Sequence, residues 1–272
     1  MYICIMAINT QINQKKLILG AIAGDMIGSV FELNNIKTTE FELFTEETTF
    51  TDDTVLTVAT MDCLLNQGDY TRYYQDYSRK YPNRGYGGYF SIWINSNEPK
   101  PYNSWGNGSA MRASPIGWAF NTLEEVLQEA ERSAAVTHNH PEGIKGAQAT
   151  AAAVFLARTG HSKKDIKHYI RKEFGYNLSR SINQVRSVYE FNESCQETVP
   201  EAIIAFLEST GYENGVRLAV SIGGDSDTIA CITGAIAEAF YQEMPEPIIE
   251  SSLKLLPDQM INIINDFSSR FR

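Results

Sequence analysis

GIKGAQATAAAVFLAR, residues 143–158, decides the fold class. Alanine has the highest helix propensity of the ordinary residues, so a run this rich in it reads as a helix, and its apolar content marks that helix as buried. The same helical spacing recurs outward in both directions. Leu17, Ile18, Ala21, Ile22, Met26 and Val30 outline one helix, and Val55, Leu56, Ala59, Cys63 and Leu64 outline a second that Gly68 stops. Leu123, Val126, Leu127 and Ala130 outline another. Ser162 and Asp165 form a capping-box pattern ahead of a helix holding Ile166, Tyr169 and Ile170. Residues 202–207, 229–241 and 248–256 continue the pattern. Strand-like alternation is scarce, and Thr38 to Phe44 is the stretch best suited to an extended conformation. The expectation is an all-α fold.

The chain has 272 residues, 43% of them hydrophobic, with a net charge of -10. No repeat or low-complexity tract divides it, and a single domain over 1–272 is expected. No basic run offers a general grip on nucleic-acid phosphates, though an acidic protein can still act on one nucleotide in a pocket. No apolar run approaches the roughly 20 residues of a membrane span. The apolar start from Tyr2 to Ile8 lacks a basic flank and a cleavage site, so it reads as a first strand or an upstream extension. Cys4, Cys63, Cys195 and Cys231 are dispersed, which suits a reducing cytoplasm better than a disulfide framework. The Gly- and aromatic-rich piece from Tyr81 to Gly108 reads as a long functional loop, because its aromatics want burial or a ligand.

Two segments carry the chemistry: TDDT at 51–54 and GGDSDT at 223–228, each just ahead of a predicted helix. Asp, Ser and Thr are good N-caps, so for either segment alone capping is the plainer reading. A cap needs only one such side chain, however, and each segment has two aspartates. Should the segments converge, four carboxylates would share a small volume and would have to protonate or hold cations. The donors are hard oxygens with no Cys or His, which favours Mg²⁺, Mn²⁺ or Ca²⁺ over zinc.

Other segments join these. Gly24 and Gly28 within a helix read as sites of close helix packing. Glu32 follows as either a solvated helix-end charge or a functional one. WGNGSAMR at 105–112 is a Gly-rich loop whose free N–H groups could cradle phosphate, although an ordinary turn explains it as well. His138 and His140 suit a polar contact or a structural turn better than a metal.

Taken together, GAIAGDMIG (20–28), TDDT (51–54), GNGSAMR (106–112), Thr137-His138 and GGDSDT (223–228) resemble, in order, the motifs of the ADP-ribosylglycohydrolase family, which includes the dinitrogenase reductase-activating glycohydrolases. The resemblance implies a single orthogonal helical bundle around two Mg²⁺ or Mn²⁺ ions. It implies Thr51, Asp52, Asp53, Asp225, Asp227 and Thr228 as metal ligands. The catalytic carboxylate is drawn from Glu32, Asp52, Asp53, Asp225 and Asp227, with Glu32 in a mobile loop near the metals. Gly106, Asn107, Gly108, Ser109 and Met111 would hold ADP-ribose, and His138 would touch it. The implied enzyme is a monomer that cleaves the C1″ glycosidic bond of ADP-ribose on a protein or small molecule. Arginine is the favoured acceptor, ahead of serine, O-acetyl-ADP-ribose or a nucleic-acid base. Two rivals are a non-catalytic, crystallin-like ADP-ribose binder and a two-metal phosphohydrolase acting on the diphosphate.

Overall fold

The computed structural model describes residues 17–272, so the Tyr2–Ile8 segment and Cys4 lie outside the described residues. Among the described residues there is no strand, only one isolated bridge between Gly106 and Ser194. The helices are α1 Gly20–Ser29, α2 Asp52–Asn66, α3 Tyr70–Lys80, α4 Gly88–Ile94, α5 Ser114–Ala119, α6 Leu123–Ala135 and α7 Pro141–Arg158. They continue with α8 Lys163–Phe174, α9 Ile182–Arg186, α10 Cys195–Glu208, α11 Tyr212–Val220, α12 Ser226–Tyr241, α13 Glu246–Leu255 and α14 Asp258–Phe271. The fold is all-α, as the periodicity predicts.

Two helices form the centre. From Ser226 to Ala239 every residue of α12 is buried, and so are all residues of α7 from Ala149 to Ala157. A helix apolar all round has no solvent face and needs neighbours on every side. Helix α12 has them in α1, α7, α10 and α11.

Helices α1 and α12 approach closely, and glycine makes it possible. A Cβ on Gly28 would stand 2.5 Å from Asp227 Cα and 2.5 Å from Ser226 O, and one on Gly24 would stand 2.7 Å from Ala230 C. Only a residue without a side chain permits that approach, so the cost of glycine in a helix is offset by backbone packing. Helix α12 also caps α1. The buried Glu238 carboxylate accepts from Leu19 N at 3.1 Å and from Gly20 N at 2.7 Å, and pairs with Arg272 at 2.6 Å. This partner explains why α1 starts at Gly20 rather than at Leu17, where the apolar spacing begins.

The predicted Ser162–Asp165 capping box is present. Thr38 to Phe44, expected to be extended, forms no strand. It has no partner strand, and Arg217 Nη1 instead donates to Thr39 O at 3.1 Å and Phe41 O at 2.8 Å. The 81–108 loop is interrupted by the short α4, where Phe90, Trp93 and Ile94 are buried.

Candidate active site

Thr51 and Asp225 occupy the N-cap positions of α2 and α12, and the two ends behave differently. Thr51 caps α2 by accepting from Asp53 N at 3.2 Å, which leaves Asp52 and Asp53 free of capping duty. Asp225 makes no cap bond. Its carboxylate is held instead by the Asn107 side-chain amide at 2.6 Å, and Asn107 Nδ2 also reaches Thr198 Oγ1 at 3.0 Å. Capping therefore does not account for Asp52, Asp53 or Asp225.

The two segments meet. Thr228 Oγ1 donates to Asp53 Oδ1 at 3.2 Å, across the α2–α12 junction. Glu32, just past the end of α1, brings a third segment: one carboxylate oxygen each from Glu32, Asp225 and Asp227 lies within 4.8 Å of the others. Asp25, a residue the sequence reading did not single out, orders the first segment. Fully buried between Gly24 and Met26, it accepts from Thr51 N at 3.0 Å, Thr51 Oγ1 at 2.7 Å and Thr54 N at 3.1 Å, and also from Thr54 Oγ1. A carboxylate set among helix glycines is the signal that could have found it, because it enters the core with the closely packed face.

The electrostatics follow from this crowding. Burial, reinforced by the charges of Asp25 and Asp225, pushes the Asp52 carboxyl well above its ordinary range. Burial and then Asp25 and Asp52 do the same to Asp53, and burial with Asp225 and Asp53 does so to Asp227. Burial first, then Asp225, Glu193 and Asp25, raises Glu32. Asp53 Oδ2 is buried with no hydrogen-bond partner. An orphaned carboxylate oxygen in a cluster of mutually repelling acids is what divalent cations relieve, and every donor is a hard oxygen. The residues present thus fit a hard divalent ion. Thr51 Oγ1 keeps one lone pair after its two bonds, and Thr228 Oγ1 faces the same junction.

The loop after α1 is pinned to the turn before α12. Asn35 accepts from Gly224 N at 2.5 Å and donates to Gly224 O at 2.9 Å and Glu32 O at 2.8 Å. Lys37 Nζ donates to Tyr189 O at 2.8 Å and Ile222 O at 2.5 Å. These bonds set Glu32 beside Asp225.

The carboxylates open onto one cleft of about 210 Å³. Its walls include Glu32, Asp52, Asp53, Asp225, Asp227 and Thr228, and also Gly106, Asn107, Gly108, Met111 and His138. Thr51 is buried behind this wall and Ser109 is fully buried, its hydroxyl donating to Gly143 O at 2.7 Å. Ser109 thus anchors the loop on α7, while Asn107 N bonds Glu193 O at 2.7 Å and fixes its other side. His138 is buried, with Nδ1 2.7 Å from Thr137 Oγ1, and burial holds its imidazole well below the usual range. His140 is the N-cap of α7, accepting from Glu142 N at 3.1 Å. Wall residues that the sequence reading did not assign include Tyr89, Tyr102, Arg112 and Glu193.

The ADP-ribosylglycohydrolase family model matches residues 13–271. ADP-ribosylhydrolase ARH3 of Mus musculus is 28% identical, covering 84% of this chain and 84% of its own length. The Homo sapiens protein of that name is 27% identical over 84% of this chain and 85% of its own. A solved structure, "ADP-ribosylglycohydrolase-related protein complex", superposes with a TM-score of 0.71, covering 96% of this chain and 98% of that one. At 21% identity that likeness shows the fold.

Proposed function

Because this chain belongs to the ADP-ribosylglycohydrolase family and is a glycosyl hydrolase of ADP-ribosyl groups, we propose that it cleaves the C1″ bond joining ADP-ribose to arginine side chains, with two Mg²⁺ or Mn²⁺ ions held by Thr51, Asp52, Asp53, Asp225, Asp227 and Thr228. The observation that carries this reading is the convergence of Glu32, Asp225 and Asp227 in the cleft that the Gly106–Met111 loop and His138 also line. When bound, such ions supply positive charge that orients ribose hydroxyls and acidifies a water.

The chain's own groups divide the remaining work. Cleavage builds positive charge on the ribose ring, and the surrounding carboxylates stabilise it. Asp225, Asp53 and Asp227 each receive a hydrogen bond, from Asn107, Thr228 Oγ1 and Thr228 N respectively. The Glu32 and Asp52 carboxylates receive none from the described residues; Asp52 is assigned to the ions, which leaves Glu32 free to accept the proton of the attacking water. Its raised proton affinity suits that role. Gly106, Asn107, Gly108 and Met111 form the wall that takes the ADP moiety, with Ser109 behind them and His138 alongside. Support for arginine comes from the acidic mouth: Glu193 joins Glu32 and Asp225 there, and a guanidinium acceptor complements that charge.

The cleft draws on residues from Glu32 to Thr228 of one chain, which supports a monomeric, single-domain enzyme. Cys63, Cys195 and Cys231 are free, which supports the reducing cytoplasm. No helix among the described residues is long and apolar enough to cross a membrane.

The test is a panel of arginine-, serine-, acetyl- and nucleotide-linked ADP-ribose with product analysis. Release of intact ADP-ribose, fastest from arginine and lost in Glu32→Gln, is the expected result. AMP as product would make the protein a phosphohydrolase. No turnover with any member would make it a binding protein, and faster release from an oxygen linkage would overturn the arginine assignment alone.

A further inference from the structure

The cleft wall carries one cation that the carboxylate chemistry does not use. Arg112 directly follows the Gly106–Met111 loop and is 0% exposed. Its Nη2 donates to Ser133 O at 3.2 Å and Thr137 Oγ1 at 2.8 Å, so one corner of the guanidinium closes the last turn of α6. Its Cζ lies 4.1 Å from the centroid of the Tyr74 ring. Nε and Nη1 are buried with no hydrogen-bond partner. No Asp or Glu among the described residues pairs with it, and residues 1–16 contain neither.

A buried charge is expensive unless it is compensated, and arginine cannot escape by losing its proton. A helix C-terminus and a π face meet only part of that need. The cleft is divided in charge. The carboxylates of Asp25, Asp52, Asp53, Asp225, Asp227 and Glu32 act on one another. The charge of Arg112 acts on His138 and Tyr102, both of which line the cleft, and on Cys195. A ligand that is anionic in its middle and uncharged at its reacting sugar matches this division in one orientation only.

We propose that Arg112 is the fixed counter-charge for the substrate's diphosphate, drawing it toward the His138–Tyr102 end of the cleft and so turning the distal ribose toward Glu32 and Asp225. The guanidinium has no solvent-exposed surface, so Arg112 acts through its field at short range in a poorly hydrated wall, as a positioning residue. The inference rests on the ADP-ribose reading above.

The experiment measures ADP-ribose and Mn²⁺ affinities separately for the wild type, Arg112→Gln and Arg112→Lys. Arg112→Gln should weaken ADP-ribose at least tenfold, equivalent to about 1.4 kcal/mol, while leaving Mn²⁺ affinity unchanged. Arg112→Lys keeps the charge without the planar fork and should stay within about fivefold of wild type, since the Coulomb interaction survives the exchange. Arg112→Gln binding ADP-ribose as wild type does would overturn the proposal. Lysine as damaging as glutamine, or loss of Mn²⁺ affinity in parallel, would reduce Arg112 to a structural brace and also overturn it. Should the glutamine variant fail to fold, the lysine variant decides alone: near-wild-type affinity supports the counter-charge, and lost affinity in a folded protein refutes it. A wild type that does not bind ADP-ribose would instead sink the functional reading and is checked first.

Discussion

Gly28→Ala tests whether close backbone packing or helix propensity governs α1. Propensity alone predicts a gain, since alanine is favoured over glycine by about 1 kcal/mol in a helix. The geometry predicts a loss. The new Cβ would sit 2.5 Å from both Asp227 Cα and Ser226 O, whereas ordinary contact begins at 3.4 Å. Both obstructing groups are backbone, so no rotamer change relieves them, and α1 and α12 must part by roughly 0.9 Å. Overpacking of that kind costs roughly 1–3 kcal/mol, and more where backbone must move. The net expectation is a loss of about 2 kcal/mol, which lowers the melting temperature of a chain this size by about 4–8 °C. The displaced residue is Asp227 itself, and misplacement by about 1 Å in an active site costs about 100-fold in rate. Thermal unfolding and turnover are measured beside a control, Gly211→Ala, where nothing lies within 4 Å of the added Cβ. A Gly28→Ala protein melting at or above wild type, with its activity intact, would refute the packing argument.

Three further outcomes are expected. Asp53→Asn removes one charge from the crowded cluster, so metal-free protein should melt at or above wild type. Mn²⁺ at about 100 times its Kd should add about 2.7 kcal/mol to wild type and clearly less to the variant; equal gains in a calorimetric comparison would exclude Asp53 as a ligand. Glu201, buried in α10 and paired with Arg180 at 2.6 Å, has its carboxyl pushed up by burial to about 7. An acid whose folded pKa is raised binds more protons folded than unfolded, so stability falls as pH rises from about 4.5 to about 7, by roughly 3 kcal/mol. Urea titrations should show Glu201→Gln lacking that share of the slope, and parallel profiles would remove Glu201 as its source. Asn35→Ala breaks the link between Glu32 and Gly224 on an exposed loop, so stability should change by no more than about 0.5 kcal/mol while turnover falls about tenfold through misplacement of Glu32; unchanged turnover would show that Lys37 suffices to hold the loop.

Helices were legible in the sequence where aliphatic residues carry the buried stripe. The 143–158 run is the clearest case, because a helix buried on all sides needs small apolar residues throughout. Helix α3 escaped the reading because its buried face is written in tyrosine: Tyr70, Tyr74 and Tyr77 follow helical spacing inside an otherwise polar segment. Met260, Ile264 and Phe267 of α14 and Tyr212, Val216 and Ala219 of α11 do carry readable stripes that the sequence reading passed over. Thr38 to Phe44 misled for the opposite reason. Extended backbone needs a partner for its carbonyls, and here the partner is a single arginine side chain, which no alternation pattern announces.

The paired aspartates were legible because four acids ahead of two helices exceed what capping requires. Their convergence was not, because it depends on α1, whose contribution lies in what its glycines lack. Close approach at Gly24 and Gly28 brings α1 against the first turns of α12, and the same helix carries Asp25 inward to bind both Thr51 and Thr54. One buried carboxylate thereby holds the start of α2 at a fixed place relative to the start of α12. This explains how a fold tolerates so many buried acids. Asp25 is satisfied by four donors and acts as part of the frame, whereas Asp53 Oδ2 is buried without a donor and the Asp52 and Glu32 carboxylates accept no hydrogen bond from the described residues. The acids with an oxygen to spare face the cleft, and Asp25, the one held by four donors, lies behind it. That division separates the carboxylates that build the site from those available for ions and protons, and sequence spacing alone, which treats all six acids alike, cannot draw it.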